Sequence, residues 1–191
     1  MTSIIKVDTI QSAAGSTVLE QTNATTITLG STGQTILLNA NATNNFAVNT
    51  PVFQAKKTTT QSFSQNVQAV VLFDSEDFDD DGVYDPATGK FQPSVAGKYL
   101  VHTQVTFSSS GGNEYCVITK NGTAIKWGQN APSNTDSNKK QDTSVILDLN
   151  GSTDYVQVEA LSSYAGTNVL ATNLLGTGDA CNFYAYKLIG A

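Results

Sequence analysis

The chain has 191 residues, and its 16 acidic against 10 basic residues give a formal net charge of −6 at pH 7. This balance argues against nucleic acid or an anionic membrane surface as a partner, because binding to phosphates requires concentrated lysine and arginine. No stretch is long and apolar enough to span a bilayer. Charged residues make up only 14% of the chain, and small polar residues supply most of its polarity. Such a composition is typical of an extracellular or virion β-protein more than of a cytosolic enzyme.

Residues 1–57 differ from the rest of the chain. They contain short apolar pieces at residues 4–7, 24–29, 34–38 and 46–53, separated by glycine, threonine and asparagine. No piece can fold alone, because each buried large side chain contributes about 1.5–3 kcal/mol, whereas ordering the backbone costs about 1–2 kcal/mol for every residue. Three chains that wrap together would share one core. The sequence therefore predicts an extended, intertwined, trimerising β-arm, with a disordered tail as the alternative.

Residues 58–191 show a more continuous β-pattern, which is clearest at residues 97–107. From Tyr99 to Phe107 the odd-numbered residues point to one face and the even-numbered residues, including His102, point to the other. A period of two over this length predicts a half-buried strand. Shorter strands surround it, separated by glycine- and asparagine-rich turns, and no useful helical periodicity appears. The predicted fold class is all-β, with a two-sheet sandwich or jelly roll as the head.

One part of this pattern resembles a known family. Residues 88–99 read Thr-Gly-Lys-Phe-Gln-Pro-Ser-Val-Ala-Gly-Lys-Tyr and lead into the alternating strand, which is similar to the globular head of complement component 1q. The resemblance extends to residues 145–151 (Val-Ile-Leu-Asp-Leu-Asn-Gly) and 183–188 (Phe-Tyr-Ala-Tyr-Lys-Leu). It implies a jelly roll shared with the tumour-necrosis-factor ligands, a homotrimer, partner binding on the outer surface, and no enzymatic activity. In contrast to that family, no collagen-like Gly-X-Y stalk precedes the head.

The N-terminus carries a second resemblance. Residues 3–15 read Ser-Ile-Ile-Lys-Val-Asp-Thr-Ile-Gln-Ser-Ala-Ala-Gly and look like the start of fibre and structural proteins of marine tailed phages. The first residues contain no basic start followed by an apolar run, so no signal peptide is expected. Together the two resemblances imply a protein of the virion, on the tail or head surface. Its arm would contact other virion proteins, and its head would face outward.

The acidic loop at residues 74–85 contains a candidate calcium site. Its candidate ligands are Asp77, Asp79, Asp81 and Asp85. Three carboxylates at alternate positions followed by Gly82 fit the front half of a calcium loop. The closing bidentate glutamate is missing, because Thr88 occupies its position. A solvated acidic loop without metal is the alternative interpretation.

The sequence offers no marked catalytic set. His102 is the single histidine, and no Gly-x-Ser-x-Gly nucleophile elbow accompanies it, so a packed or interfacial position on its strand is expected. Cys116 and Cys181 have no metal-ligand neighbours. A disulfide between them and two buried thiols are both open. The sequence therefore predicts a protein that is not an enzyme and has no cofactor other than the candidate calcium ion.

Aromatic residues beside loops are the candidates for partner binding. Trp127 and Tyr164 are expected to contact a host-surface glycan or protein, because amphipathic rings suit recognition. Burial in the core or in a trimer interface is the alternative for both. Tyr184 and Tyr186 lie in the last strand and are expected in the core or in the trimer interface.

Four functions are open on this basis. The first is a trimeric phage fibre whose head attaches to the host, and the second is a head fibre or decoration protein that stabilises the capsid. A polysaccharide depolymerase tailspike is an alternative of another class, but the arm is too short for a long β-helix and no carboxylate pair is singled out. A free lectin-like module is the fourth.

Overall fold

The structure is a computed structural model, and it describes residues 50–108, 112–129, 139–166, 168–170 and 180–189. These residues form thirteen β-strands. The strands are β1 (Val52–Lys56), β2 (Gln61–Phe63), β3 (Ala69–Val70), β4 (Ser75–Asp79), β5 (Tyr84–Asp85), β6 (Lys90–Phe91), β7 (Gly97–Phe107), β8 (Glu114–Lys120), β9 (Thr123–Gly128), β10 (Lys139–Leu149), β11 (Val156–Ser162), β12 (Asn168–Leu170) and β13 (Asn182–Lys187). Within this part of the chain, no helix has the length and apolarity needed to cross a bilayer.

The strands form two antiparallel sheets. The first sheet has the order β2–β12–β7–β13–β1–β4, and β10 also pairs with β7. The second sheet has the order β5–β6–β11–β8–β9, and β3 also pairs with β11. Most neighbouring strands are not consecutive in the chain, which is the connectivity of a jelly roll rather than of a meander. The all-β jelly roll predicted from the sequence is confirmed.

The core lies between the two sheets and is centred on Phe53 of β1. Its ring stacks on Tyr84 and Phe91 of the second sheet, with ring centroids 4.9 and 4.7 Å apart. It also meets Phe183 of β13 edge-to-face at 4.8 Å. Each such aromatic pair contributes about 0.5–1.5 kcal/mol beyond its buried area. Phe53 therefore joins the two sheets.

β1 belongs to the head, although the sequence assigned residues 1–57 to the arm. The strand is hydrogen-bonded between β13 and β4, and Phe53 lies opposite Asp79. The head therefore includes Val52–Lys56. The local sequence pattern placed the boundary too late, because the strand that pairs with β1 is β13, near the other end of the sequence. No residue close to β1 indicates that pairing. The arm predicted before β1 lies outside the described residues and stays a prediction.

β7, one of the two longest strands of the first sheet, follows the alternation predicted from the sequence. Its odd-numbered residues from Tyr99 to Phe107 are fully buried in the core. Leu100, His102 and Gln104 are only partly buried, because they point to the opposite face of the sheet. β7 is paired with β13 on one side and with β10 on the other. It therefore places its even-numbered side chains in the middle of an outward-facing surface.

The apolar stretch at residues 67–73 forms only a short strand. Only Ala69–Val70 forms a strand, β3. Beyond it, the side chain of Gln61 donates to the carbonyl of Val70 at 2.6 Å and accepts from the N–H of Leu72 at 3.0 Å. A glutamine amide thus replaces a neighbouring strand as the hydrogen-bond partner of this backbone.

The two cysteines are buried thiols and are not joined in a disulfide. Burial raises the pKa of Cys116 to about 12 and that of Cys181 to about 11, so both thiols stay protonated near neutral pH. The Sγ atom of Cys181 accepts a hydrogen bond from the N–H of Thr106 at 3.2 Å. The sequence left open either a disulfide or two buried thiols, and the structure shows two buried thiols.

Candidate functional site

The outer face of the first sheet carries a row of apolar side chains. Ile146 of β10 lies opposite Leu100 of β7. Leu100 in turn lies opposite Tyr186 of β13, which lies opposite Val52 of β1. Ile146 is 56% exposed, and the other three are partly buried. We call these four residues the apolar row. A continuous apolar surface across a sheet marks an interaction site, because soluble monomers rarely expose one.

A mixed row of polar and aromatic side chains runs beside the apolar row. His102 stacks on Tyr184 across β7 and β13, with ring centroids 4.8 Å apart, and it faces Ser144 of β10 on its other side. Tyr184 lies opposite Gln54, and Gln54 lies opposite Phe78 of β4, which is 43% exposed. We call the two rows together the assembly face.

His102 is a titratable group at the centre of this face. Burial lowers the pKa of its imidazole below the usual value of 6.5, an effect that Asp142 opposes and Lys140 reinforces. Both charged residues lie on β10, where they pair in register with the end of β7. The imidazole is therefore neutral at pH 7, and a second protein surface placed over it would lower its pKa further.

A second apolar surface lies at the edge where the two sheets meet. β9 is an edge strand of the second sheet, and its Ile125 and Trp127 are 43% and 46% exposed. At the end of β9, Gly128 lies against β10, because a Cβ atom there would be 2.6 Å from the carbonyl oxygen of Asp142. β9 and β10 thus lie side by side at one edge of the head, and β10 also contributes Ile146 to the assembly face.

The two ends of the head differ in what they present. β1 begins at Val52 and β13 finishes at Lys187, and these strands are antiparallel neighbours. The preceding chain therefore joins the head at this end, which we call the base. The opposite end, which we call the distal end, contains the finish of β7, the start of β8 and β10, and the turn after β11.

Both sequence-predicted partner-binding residues lie toward the distal end, in different surroundings. Trp127 meets Tyr115 edge-to-face, with ring centroids 5.8 Å apart, and Tyr115 lies opposite Leu161 on the outside of the second sheet. Tyr164 follows β11, and its ring packs against Gly166, where a Cβ atom would be 2.5 Å from the tyrosine Cε1. The two residues therefore belong to separate patches.

The predicted calcium ligands in the first part of the acidic loop have other partners. Asp77 forms an ion pair with Lys56 at 2.7 Å, and hydrogen bonding to that lysine and to a glutamine lowers the pKa of the carboxyl. Asp79 accepts hydrogen bonds from the backbone N–H groups of Val83 and Tyr84, at 3.0 and 2.9 Å. These two carboxylates are therefore used within the fold.

The remaining two predicted ligands do not complete a site. Asp81 is exposed. Asp85 accepts hydrogen bonds from the Thr88 hydroxyl at 2.7 Å and from the Ala87 N–H at 2.9 Å, which lower its pKa. In the part of the chain that the structure describes, no group of three or more acidic, histidine or cysteine side chains is arranged to hold a metal. The geometry therefore gives no support to the calcium site, which stays a prediction.

Asp74 is a structurally important carboxylate that the sequence pattern did not single out. It accepts hydrogen bonds from the Thr58 N–H at 2.6 Å, the Thr58 hydroxyl at 3.0 Å and the Thr59 hydroxyl at 2.6 Å. Desolvation raises its pKa, but the hydrogen bonds from Thr59 and Thr58 together outweigh it and lower the pKa to about 2. Asp74 thus ties the start of β4 to the chain that leaves β1.

Two open grooves lie at opposite ends of the head. The distal groove has a volume of about 550 Å³ and lies between β2 and the chain after β11. The base groove has a volume of about 410 Å³ and includes Asp85 and Lys90. The Lys90 ammonium lies 4.1 Å from the ring centroid of Tyr155. Both volumes fall in the range of about 300–1,000 Å³ found for ligand sites.

Known proteins share this architecture. The family model of the C1q domain matches residues 52–172. The globular domain of zebrafish complement 1qA protein is similar over 72% of this chain and 96% of its own, with 15% identity and a TM-score of 0.55. Murine APRIL at pH 5.0 and at pH 8.5 is similar over 72% of this chain and 98% of its own, with 14% identity and TM-scores of 0.54 and 0.53. No curated protein matches the chain at a significant level.

These comparisons indicate which functions proteins with this fold usually have. At such low identity the solved structures show the fold alone. Homologues with this jelly roll form homotrimers, and domains of this kind are typically non-enzymatic and bind ligands. The geometry agrees with a binding and assembly role, because the notable features of the described residues are exposed apolar surfaces and open grooves.

Proposed function

The chain belongs to the C1q domain family, and from that premise we propose that it is a homotrimeric phage virion protein, a fibre whose outward-facing head attaches to the host. In this function the N-terminal arm docks to other virion proteins. The head carries the surface that contacts the host, and neither part performs catalysis.

The apolar row is the observation that carries the proposal. It lies on a sheet face that has no covering layer among the described residues, and Ile146 at one end of it is more than half exposed. The edge formed by β9 and β10 supplies a second, differently shaped apolar surface with Ile125 and Trp127. Two unlike surfaces on one subunit suit a ring in which the edge of each copy packs on the assembly face of the next.

Attachment to the host is supported by the position of the candidate binding features. The distal groove and the adjoining Tyr164 lie away from the base, where the preceding chain joins the head. Loop ends on a rigid sandwich are common places for recognition. Three identical copies in one trimer would also multiply a weak affinity, since a second contact becomes intramolecular after the first.

The virion context is supported by the N-terminal sequence. Residues 3–15 resemble the start of fibre and structural proteins of marine tailed phages, and the short apolar pieces that follow suit an intertwined arm. An arm of this kind fits a protein that assembles into a larger particle.

The oligomeric state gives the first test. Sedimentation equilibrium of the full chain is expected to give three times the 20.1 kDa of one chain. Ile146→Lys places a charge in the apolar row and is expected to shift the protein toward smaller species. Val67→Lys is the matched control, because Val67 is 51% exposed in a turn outside the assembly face. A well-folded monomer at micromolar concentration would contradict the proposal.

The location on the particle gives the second test. Immunogold labelling of intact virions with an antibody to the head is expected to mark a tail fibre, and fluorescently labelled trimer is expected to bind host cells. Labelling of the capsid with no binding to cells would instead indicate a decoration protein. Release of new reducing ends from host polysaccharide would contradict the absence of catalysis.

A further inference from the structure

Among the residues that the structure describes, the lining of the distal groove contains no ionisable group. It is formed by Ser62, Phe63, Ser64, Gln65, Ala165 and Gly166. These residues supply two hydroxyls, one carboxamide and one half-buried aromatic ring. The described lining therefore provides polar contacts in several directions together with an apolar wall, and it carries no charged side chain.

Hydrogen bonds hold the two walls of the groove at a fixed separation. The Gln65 carboxamide donates to the carbonyl of Ser163 at 2.9 Å, and the N–H of Asn66 donates to the carbonyl of Ser162 at 2.8 Å. Below them, β2 and β12 pair in register, with Phe63 opposite Asn168. The groove is thus formed before any ligand arrives, which reduces the entropy lost on binding.

An aromatic ring is fixed beside the groove by a close approach to glycine. The Tyr164 ring lies where a side chain at Gly166 would be, with Cε1 only 2.5 Å and Cζ 2.9 Å from an ideal Cβ position. Any larger residue at position 166 would move the ring. Since Gly166 itself lines the groove, Tyr164 adjoins it in a defined orientation.

We infer that the distal groove binds a neutral oligosaccharide, which deepens and rests on the proposed attachment function. Sugar hydroxyls would pair with Ser62, Ser64 and the Oε1 of Gln65, and the apolar face of a sugar ring would lie on Phe63. An anionic glycan finds no cationic partner among the described lining residues, and the net charge of −6 opposes its approach.

The base groove provides a contrast within the same molecule. Its lining includes Asp85 and Lys90, so it presents charges of both signs, and it lies at the end where the preceding chain joins the head. Gln92 in the base groove already donates to the carbonyl of Ser152 at 2.7 Å. Substitutions there alter a similar polar surface without affecting the distal groove.

The test uses the full chain and a panel of immobilised neutral oligosaccharides of glucose, galactose, mannose and N-acetylglucosamine, with sialylated and sulfated oligosaccharides beside them. We expect binding to neutral members of the panel. The double variant Ser64→Ala/Gln65→Ala is expected to bind them about tenfold or more weakly, since each lost hydrogen bond weakens binding about two- to tenfold. Gly166→Ala is expected to weaken binding as well, although it removes no polar group.

Gln92→Ala in the base groove is the control and is expected to bind as the parent chain does. Melting temperature and sedimentation confirm that each variant is folded and assembled as the parent is. Unchanged affinity in the double variant, or binding only to sialylated or sulfated glycans, would overturn the inference. If the trimer binds host cells but no neutral glycan, the groove assignment fails and the attachment function stands; a chain that binds no host cells removes both.

Discussion

Asp79 shows how a single carboxylate in the acidic loop serves the fold. It accepts the backbone N–H groups of both Val83 and Tyr84, as an aspartate does in turns and at helix N-termini. Gly82 within this turn has a φ of +62°, a backbone angle that residues with a side chain rarely adopt. The aspartate and the glycine are thus explained by a tight turn between β4 and β5, with no metal required.

This role for Asp79 predicts a calcium-independent loss of stability. Asp79→Ala leaves two backbone donors without an acceptor and is expected to lower the free energy of unfolding by about 1–2 kcal/mol. Asp81→Ala, at an exposed neighbouring position, is expected to change it by less than about 0.5 kcal/mol. Urea unfolding in calcium and in EDTA measures both. A calcium-dependent loss in the two variants alike would favour the metal site instead.

The lowered pKa of Asp74 predicts that the protein loses stability in acid. This pKa is about 2 in the folded protein against an ordinary value of 3.8, so the unfolded chain binds a proton more readily. The stabilisation is therefore complete above pH 3.8 and is lost as the pH falls toward 2. Urea unfolding across this range is expected to show a shallower pH dependence for Asp74→Asn than for the parent. Parallel curves for the two proteins would refute this role of Asp74.

At the scale of elements, the sequence predicts β7 well and β4 poorly, for physical reasons. β7 alternates because one face lies on the core, and that signal is contained within the strand itself. β4 is mostly exposed, and its Asp77 and Asp79 repeat every second residue, which fits both a strand and a calcium loop. Only pairing with β1, far away in the sequence, decides between the two.

In the candidate site, too, some features could be predicted from the sequence of one strand, and others depend on contacts between strands that are distant in the sequence. The position of His102 on the outer face could be predicted from the alternation of β7. The apolar row could not, because Leu100 and Ile146 become neighbours only through the register of β7 with β10. The distal groove was missed for a similar reason, since β2 and the turn after β11 are brought together by tertiary hydrogen bonds such as that of Gln65 to Ser163.

The contact between β9 and β10 predicts that Gly128 tolerates no side chain. A Cβ atom there would lie 2.6 Å from the Asp142 carbonyl oxygen and 2.7 Å from the Cys116 Sγ. Gly128→Ala is therefore expected to lower the free energy of unfolding by about 1–3 kcal/mol through overpacking. Thr123→Ala, exposed on the same strand, serves as the control, and chemical denaturation measures both. Equal stability of the two variants would show that the sheets can separate at this edge.

At the scale of the whole molecule, the proposed trimer places three copies of His102 in covered interfaces. Burial already lowers the pKa of the imidazole, and among the charged groups Asp142 of β10 raises it and Lys140 of β10 lowers it. Its stabilising effect is therefore complete above pH 6.5 and is lost as the pH falls through the lowered pKa. This range lies above the acid range of Asp74, so the two effects can be measured separately.

Weaker association of the trimer is therefore expected as the pH falls below 6.5 and through the lowered pKa of His102. Sedimentation equilibrium should show a weaker association at the lower pH for the parent chain. His102→Gln has no titrating group at this position and should show much less pH dependence. An association that changes equally with pH in both proteins would assign the effect to groups other than His102.

The side-by-side arrangement of β1 and β13 makes the head suitable for transfer to another protein as one unit. Because Val52 and Lys187 lie at the same end, the head can be spliced into a surface loop of an unrelated carrier through two short linkers, with its other end left unencumbered. The same geometry would let one head replace another behind the same preceding segment, and loops at the distal end can lengthen without changing where the head is joined.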